Sequence, residues 1–98
     1  MVYAYTQDVP IDEQVYARIL KEIGEQPMDG LLLHLCVRRP EGGLRYLDIW
    51  DSEEQWARAF AERVRPAVYA VFNGSPPAAE PPVDRLDIVD LRGSLLPA

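Results

Sequence analysis

Residues 30–51 read GLLLHLCVRRPEGGLRYLDIWD, and the fold follows from how this stretch is paired. Leu31 to Arg38 and Leu44 to Trp50 are two β-periodic runs. Between them Pro40-Glu41-Gly42-Gly43 is a turn by composition, because proline fixes one φ and the glycines allow positive φ. Side chains alternate faces along a strand, so an antiparallel pairing must keep Leu33, Leu35 and Val37 on the same side as Leu47 and Ile49. Two registers satisfy that condition. One sets Leu35 opposite Leu47, Leu33 opposite Ile49 and His34 opposite Asp48; the other sets Cys36 opposite Asp48 and His34 opposite Trp50. The first leaves the shorter loop and is preferred. The second side of the hairpin then carries Leu32, His34, Cys36, Tyr46, Asp48 and Trp50, including the only histidine and the only cysteine of the chain.

Upstream, Met1 to Gln7 holds Val2, Tyr3, Tyr5 and Thr6, residue types that suit a pleated surface, and reads as a first strand. Asp8-Val9-Pro10 breaks the run. Asp12 is placed to cap a helix, with Ile11 and Tyr16 positioned as a hydrophobic staple. Val15, Ile19 and Ile23 recur every four residues, Tyr16 and Leu20 lie alongside, and Gly24 is a natural stop. Downstream, Ser52 and Gln55 match a capping box, with Glu53 and Glu54 where the helix dipole favours acids. Trp56, Phe60 and Val64 form the apolar stripe of this second helix, and Pro66 falls inside it, predicting a kink or break. Residues 73–83 are a Pro-rich loop, Asp84 to Arg92 alternates as a fourth strand, and 93–98 form an apolar tail.

The order β, α, β, β, α, β specifies an α+β fold, a ferredoxin-like sandwich with a four-stranded antiparallel sheet and two helices on one face. A single domain spans 1–98. The helices are expected to cover the aliphatic Leu33, Leu35, Val37, Leu47 and Ile49 side. The His34, Asp48 and Trp50 side is then too apolar to face water, and its cover is expected to be a second copy, packed sheet on sheet as a symmetric homodimer. Leu95-Leu96-Pro97 could reach across to that partner.

Composition narrows the function. A chain of 98 residues buries only roughly 60–68 % of its unfolded surface, so self-association helps it. A net charge of -6 disfavours phosphate-backbone binding, and no nucleic-acid partner is expected. One Cys and one His exclude an internal disulfide and make a structural metal site hard to assemble. No cleavable leader or membrane-length apolar run is evident, so a soluble, cytoplasmic protein with no membrane partner is expected. Nine of the ten basic residues are arginine, an association with GC-rich bacterial genomes.

Gly30-Leu31-Leu32-Leu33-His34-Leu35, the Gly-Gly turn, Leu47-Asp48-Ile49-Trp50-Asp51-Ser52-Glu53-Glu54, and Phe60 to Pro66 resemble the dimeric α/β-barrel superfamily, in particular the small antibiotic-biosynthesis-monooxygenase-type proteins. The resemblance spans residues 2 to 92. It implies the ferredoxin-like fold, dimerisation into an α/β barrel and a pocket between sheet and helices in each subunit. Members include cofactor-independent oxygenases of polycyclic aromatic substrates and haem-degrading enzymes whose second helix carries a ligating histidine. The second helix here has no histidine, so haem is not expected, nor is any other cofactor. Fold analogy does not by itself transfer activity.

His34 and Asp48 are the candidate catalytic pair: histidine is the side-chain type suited to general-base work near neutral pH, with an opposed carboxylate to fix its tautomer. The competing reading is a strand histidine satisfied by a carboxylate at the dimer interface, and it is the more economical one, since a buried polar pair needs mutual satisfaction whether or not it reacts. Cys36 reads as a small buried hydrophobe. Tyr5, Trp50, Trp56 and Tyr69 are the candidate binding residues for a small aromatic ligand, with the neighbourhood of Pro66 favoured over the hairpin as the pocket. Arg63 and Arg65 read as a solvated helix face, and Glu53-Glu54 as a cap. No phosphate loop, nucleophile elbow or zinc-protease motif is present. Two functions follow: a monooxygenase-like enzyme that removes a proton from an acidic aromatic substrate and lets the carbanion meet O₂, or a non-catalytic ligand-binding or interaction module of the same fold. A third, an amino-acid-sensing regulatory domain, has no attached domain to regulate.

Overall fold

Two helix caps set the frame. Asp12 accepts from the Val15 amide at 2.8 Å and starts α1 (Glu13–Ile23), and the Gly24 amide closes it on Leu20 O. Ser52 accepts from the Gln55 amide at 3.2 Å and starts α2 (Glu53–Ala59). The computed structural model describes residues 2–74 and 80–93. Within them β1 (Tyr3–Val9), β2 (Leu31–Arg38), β3 (Leu44–Trp50) and β4 (Asp84–Leu86) form one sheet in the order β2-β3-β1-β4, every neighbouring pair antiparallel. This is the expected ferredoxin-like α+β sandwich. No helix among the described residues is long and apolar enough to cross a membrane.

The hairpin takes the short-loop register, with Leu33 opposite Ile49, His34 opposite Asp48 and Leu35 opposite Leu47. Gly42 and Gly43 both adopt positive φ, 105° and 78°, in the connecting turn. An irregularity between Leu31 and Leu33 sets Leu31 opposite Trp50. Leu31 therefore joins Trp50 in the core instead of lying with Leu33.

The assignment of faces is reversed. β1 pairs with β3 so that Tyr3, Tyr5, Gln7 and Val9 lie opposite Trp50, Asp48, Tyr46 and Leu44. That shared side faces the helices: Tyr3, Tyr5 and Trp50 bury themselves with Ala59, and Trp56 packs against them. His34 and Asp48 thus lie under the helices, and Leu33, Leu35, Val37, Leu47 and Ile49 occupy the open side. Leu35 and Val37 are 45 % and 48 % exposed there. Aliphatic content favours the wrong side because it ranks dryness without saying which layer supplies it.

Three boundaries also differ. β1 runs on through Asp8 to Val9, since Asp8 sits at the strand end where Arg45 of β3 holds its carboxylate at 2.6 Å. β4 stops at Leu86 instead of Arg92, after three residues paired with β1. Pro66 does not break the second helix. A π-helical turn at Phe60–Val64, in which the Arg65 amide reaches five residues back to Phe60 O, leads into α3 (Arg65–Val71). The wider turn absorbs the missing donor and the ring of Pro66 without ending the helix. Part of the Pro-rich loop, 75–79, and the tail residues Leu95, Leu96 and Pro97 lie outside the described residues.

Candidate functional site

The core is divided, and the division makes a cavity. At one end Tyr3, Tyr5 and Trp50 pack with Ala59 of α2; at the other, Ile19 of α1 packs with Ala67 and Val71 of α3. Between these clusters sheet and helices part around a cavity of about 450 Å³, within the usual range for small-molecule sites. His34, Asp48, Tyr5, Trp50, Trp56 and Tyr69, the six candidate residues, all line it. So do four residues that the sequence reading assigned to other work: Tyr16, Tyr46, Phe60 and Arg65. The exposed side chains of Arg65 and Glu80, 3.2 Å apart, mark its rim.

The polar wall is a single hydrogen-bonded chain. Asp48, 6 % exposed, accepts from the Tyr5 hydroxyl at 2.8 Å and the Trp50 indole at 3.4 Å, and its other oxygen lies 2.5 Å from His34 Nδ1. The carboxylate accepts, so Nδ1 carries the proton and Nε2 is the free lone pair of the neutral ring. The Tyr16 hydroxyl lies 2.7 Å from that Nε2 and donates to it. At the far end, the Trp56 indole donates to Tyr5 at 3.1 Å. Tyr16, His34 and Asp48 are thus in series, brought together by α1, β2 and β3.

Burial dominates the electrostatics. It raises the Tyr16 phenol to about 12, with Cys36 and Asp48 adding to the shift. It raises Tyr5 further, helped by the Asp48 charge and hydrogen bond, and raises Tyr46, helped by neighbouring Cys36, Tyr16 and Asp48. All three phenols are neutral hydrogen-bond donors at physiological pH. Burial also pushes the Cys36 thiol up, which disfavours the thiolate. Among the described residues no three His, Cys, Asp or Glu side chains form a group that could hold a metal ion.

A cavity between sheet and helices, with the sheet order β2-β3-β1-β4, can be compared with known structures. A protein from Chloroflexus aurantiacus J-10-fl, assigned as an antibiotic biosynthesis monooxygenase, superposes with a TM-score of 0.61 over 95 % of this chain and 98 % of its own, at 20 % identity. The two share a fold. At that identity the likeness extends to the fold alone. No protein-family model and no curated relative matches the sequence.

The correction at the site follows from the reversed faces. His34 is not packed on the open side of the sheet, where a second copy would meet it; it lines the cavity. Tyr16, read as half of a staple over Ile11, sends its hydroxyl across to the sheet. Its spacing from Ile19 and Ile23 already put it on the inward stripe of α1, and the polar atom at the end of that stripe was the available signal. Arg65 stacks on the Phe60 ring at 4.9 Å, so it is part of the cavity rim rather than a freely solvated charge.

Proposed function

We propose that this chain is a homodimeric α/β-barrel protein whose cavity binds a small aromatic substrate and oxidises it with O₂, without a cofactor, in the manner of a monooxygenase. The observation that carries the reading is the His34–Asp48 pair set into an aromatic-walled cavity: a base, a carboxylate that fixes its tautomer, and ring surfaces that exclude water from a bound ligand. His34 is the base and Asp48 its orienter. Tyr5, Trp50, Trp56 and Tyr69 are the binding surface. Proton transfer to His34 leaves a carbanion delocalised over the rings. One electron passes to O₂, the radical pair closes a C–O bond, and the imidazolium returns its proton to the peroxide, giving a hydroperoxide that loses water to a carbonyl.

The dimer is supported by the open sheet side, where Leu35 and Val37 on the β2 edge and Leu86 on the β4 edge are exposed. A second copy laid on this side completes the barrel and leaves each cavity on the helix side of its own sheet.

Anthrone, with three fused rings and an acidic CH₂, tests the reading. The protein with a chelator present is expected to consume one O₂ per anthrone and release anthraquinone and water, and His34→Gln to slow this by about 10²–10⁴. Quenching of Trp50 and Trp56 fluorescence by anthrone without O₂ uptake makes the chain a binding module. The absence of both signals removes the aromatic-ligand reading altogether.

A further inference from the structure

Both nitrogens of His34 are already committed. Nδ1 faces Asp48 at 2.5 Å and Nε2 faces the Tyr16 hydroxyl at 2.7 Å. A ligand therefore has no free lone pair on the imidazole to meet, and any proton that reaches His34 from the cavity passes through the oxygen that occupies Nε2. That oxygen has one further lone pair and belongs to a residue that lines the cavity. Next to it lies Tyr46, its ring 5.6 Å from the Tyr16 ring and 5.3 Å from the imidazole. Tyr46 also lines the cavity, and its hydroxyl has no hydrogen-bond partner among the described residues.

The remaining polar groups restrict what can sit there. The charged side chains lining the cavity are paired, His34 with Asp48 and Arg65 with Glu80, so no charge is left over for an ionic ligand. What remains on offer near His34 is an acceptor at Tyr16, beside the Cys36 thiol, and a hydroxyl at Tyr46; the Tyr69 hydroxyl and extensive ring surface line the rest of the wall. Those groups match an uncharged fused-ring molecule carrying one hydroxyl.

We infer that Tyr16 is a catalytic residue, the relay that takes the proton of a neutral fused-ring phenol and passes it to His34, with Tyr46 hydrogen-bonded to the same ligand oxygen. The inference rests on the proposed base role of His34. The ligand O–H bond breaks as an O–H bond forms on Tyr16; the original Tyr16 O–H bond breaks as an N–H bond forms at Nε2. The products are a ligand phenolate, a neutral Tyr16 and an imidazolium held by the Asp48 carboxylate. The phenolate and the ring carbanion that meets O₂ are one delocalised anion. Burial, which raises the Tyr16 phenol to about 12, keeps Tyr16 protonated at rest and makes it a conduit instead of an independent base.

The test uses 2-naphthol, whose absorption distinguishes phenol from phenolate, with its methyl ether as the ligand that has no proton to give. Wild-type protein is expected to bind 2-naphthol with quenching of tryptophan fluorescence. The ionised fraction of the bound probe should exceed that of free probe at the same pH by at least roughly tenfold, the worth of one charge-assisted hydrogen bond. Tyr16→Phe and His34→Gln should each abolish that excess while still binding the methyl ether as wild type does. Tyr46→Phe should weaken 2-naphthol binding by roughly tenfold and the methyl ether by less, because the ether oxygen accepts the same hydrogen bond without the charge that strengthens it on the phenolate. An unchanged ionised fraction in Tyr16→Phe overturns the relay while leaving the base role intact. An unchanged fraction in His34→Gln, lost only in Tyr16→Phe, also overturns the relay, because Tyr16 is then a simple donor to the phenolate. If wild type binds neither compound, the aromatic cavity reading fails before the relay is reached.

Discussion

Replacing Asp48 with alanine removes the hub of the polar wall, and the cost can be worked from its three donors. Tyr5 and Trp50 are buried and cannot recover a partner from solvent, whereas the His34 side chain is 29 % exposed and can. An unmet buried donor costs about 1–3 kcal/mol. The Tyr5 bond at 2.8 Å belongs in the upper part of that range and the Trp50 bond at 3.4 Å in the lower. Together they place Asp48→Ala at about 3–5 kcal/mol of destabilisation. That is a large share of the about 5–15 kcal/mol that holds a small domain. Asp48→Asn keeps one acceptor and costs less, about 1–2 kcal/mol. The assay is urea unfolding followed by tryptophan fluorescence at fixed protomer concentration, since association shifts apparent stability by mass action. A decisive companion is Tyr5→Phe/Asp48→Ala. Removing the Tyr5 hydroxyl along with its acceptor should recover about 1 kcal/mol relative to additivity. An Asp48→Ala protein within about 0.5 kcal/mol of wild type would refute the idea that this carboxylate anchors the wall.

The buried phenols predict an alkaline limit. Tyr5, Tyr16 and Tyr46 are raised in the fold above the ordinary tyrosine value of 10.0, so between pH 10 and about 12 the native state binds more protons than the unfolded one and stability falls as pH rises. Their contribution is complete below pH 10; absorbance at tyrosinate wavelengths at pH 11 should jump on adding urea, and a native protein with all five tyrosines already ionised would contradict this. Leu35→Asp on the open side should convert the proposed dimer to an 11.1 kDa species in sedimentation, without changing 2-naphthol quenching; an unaltered dimer would place the interface elsewhere. In the hairpin turn, a Cβ on Gly43 would meet the Val9 carbonyl at 2.7 Å, whereas one on Gly42 meets nothing within 4 Å. Gly43→Ala should therefore cost about 1–3 kcal/mol, more than Gly42→Ala in the same unfolding assay, and equal costs would mean that backbone φ alone is being measured.

What the residues disclosed and what they hid have the same physical origin. Alternation, turn composition and capping are local properties: alternation with the shorter loop selected the His34–Asp48 pairing, Pro40 and the glycines marked the turn, and Asp12 and Ser52 marked both caps before any tertiary contact was known. Which side of the sheet faces the helices is not local. It depends on β1, whose Tyr3, Tyr5 and Val9 fall on one side and Ala4, Thr6 and Asp8 on the other. A central strand with its aromatics on one side commits those aromatics to the thicker layer. Trp56 and Phe60 on the second helix need ring surfaces to pack on, and only the Trp50 side supplies them. Weighing β1 and the helix stripe together would have inverted the hairpin. Hydropathy alone misleads because a side that a second copy would cover is selected for dryness as strongly as one under a helix, and the side that lines a ligand cavity must trade aliphatic residues for hydroxyls, a carboxylate and an imidazole. In a sandwich of this kind the less aliphatic side is the one to search for chemistry. His34 is placed there by the same alternation that made it look like an interface residue.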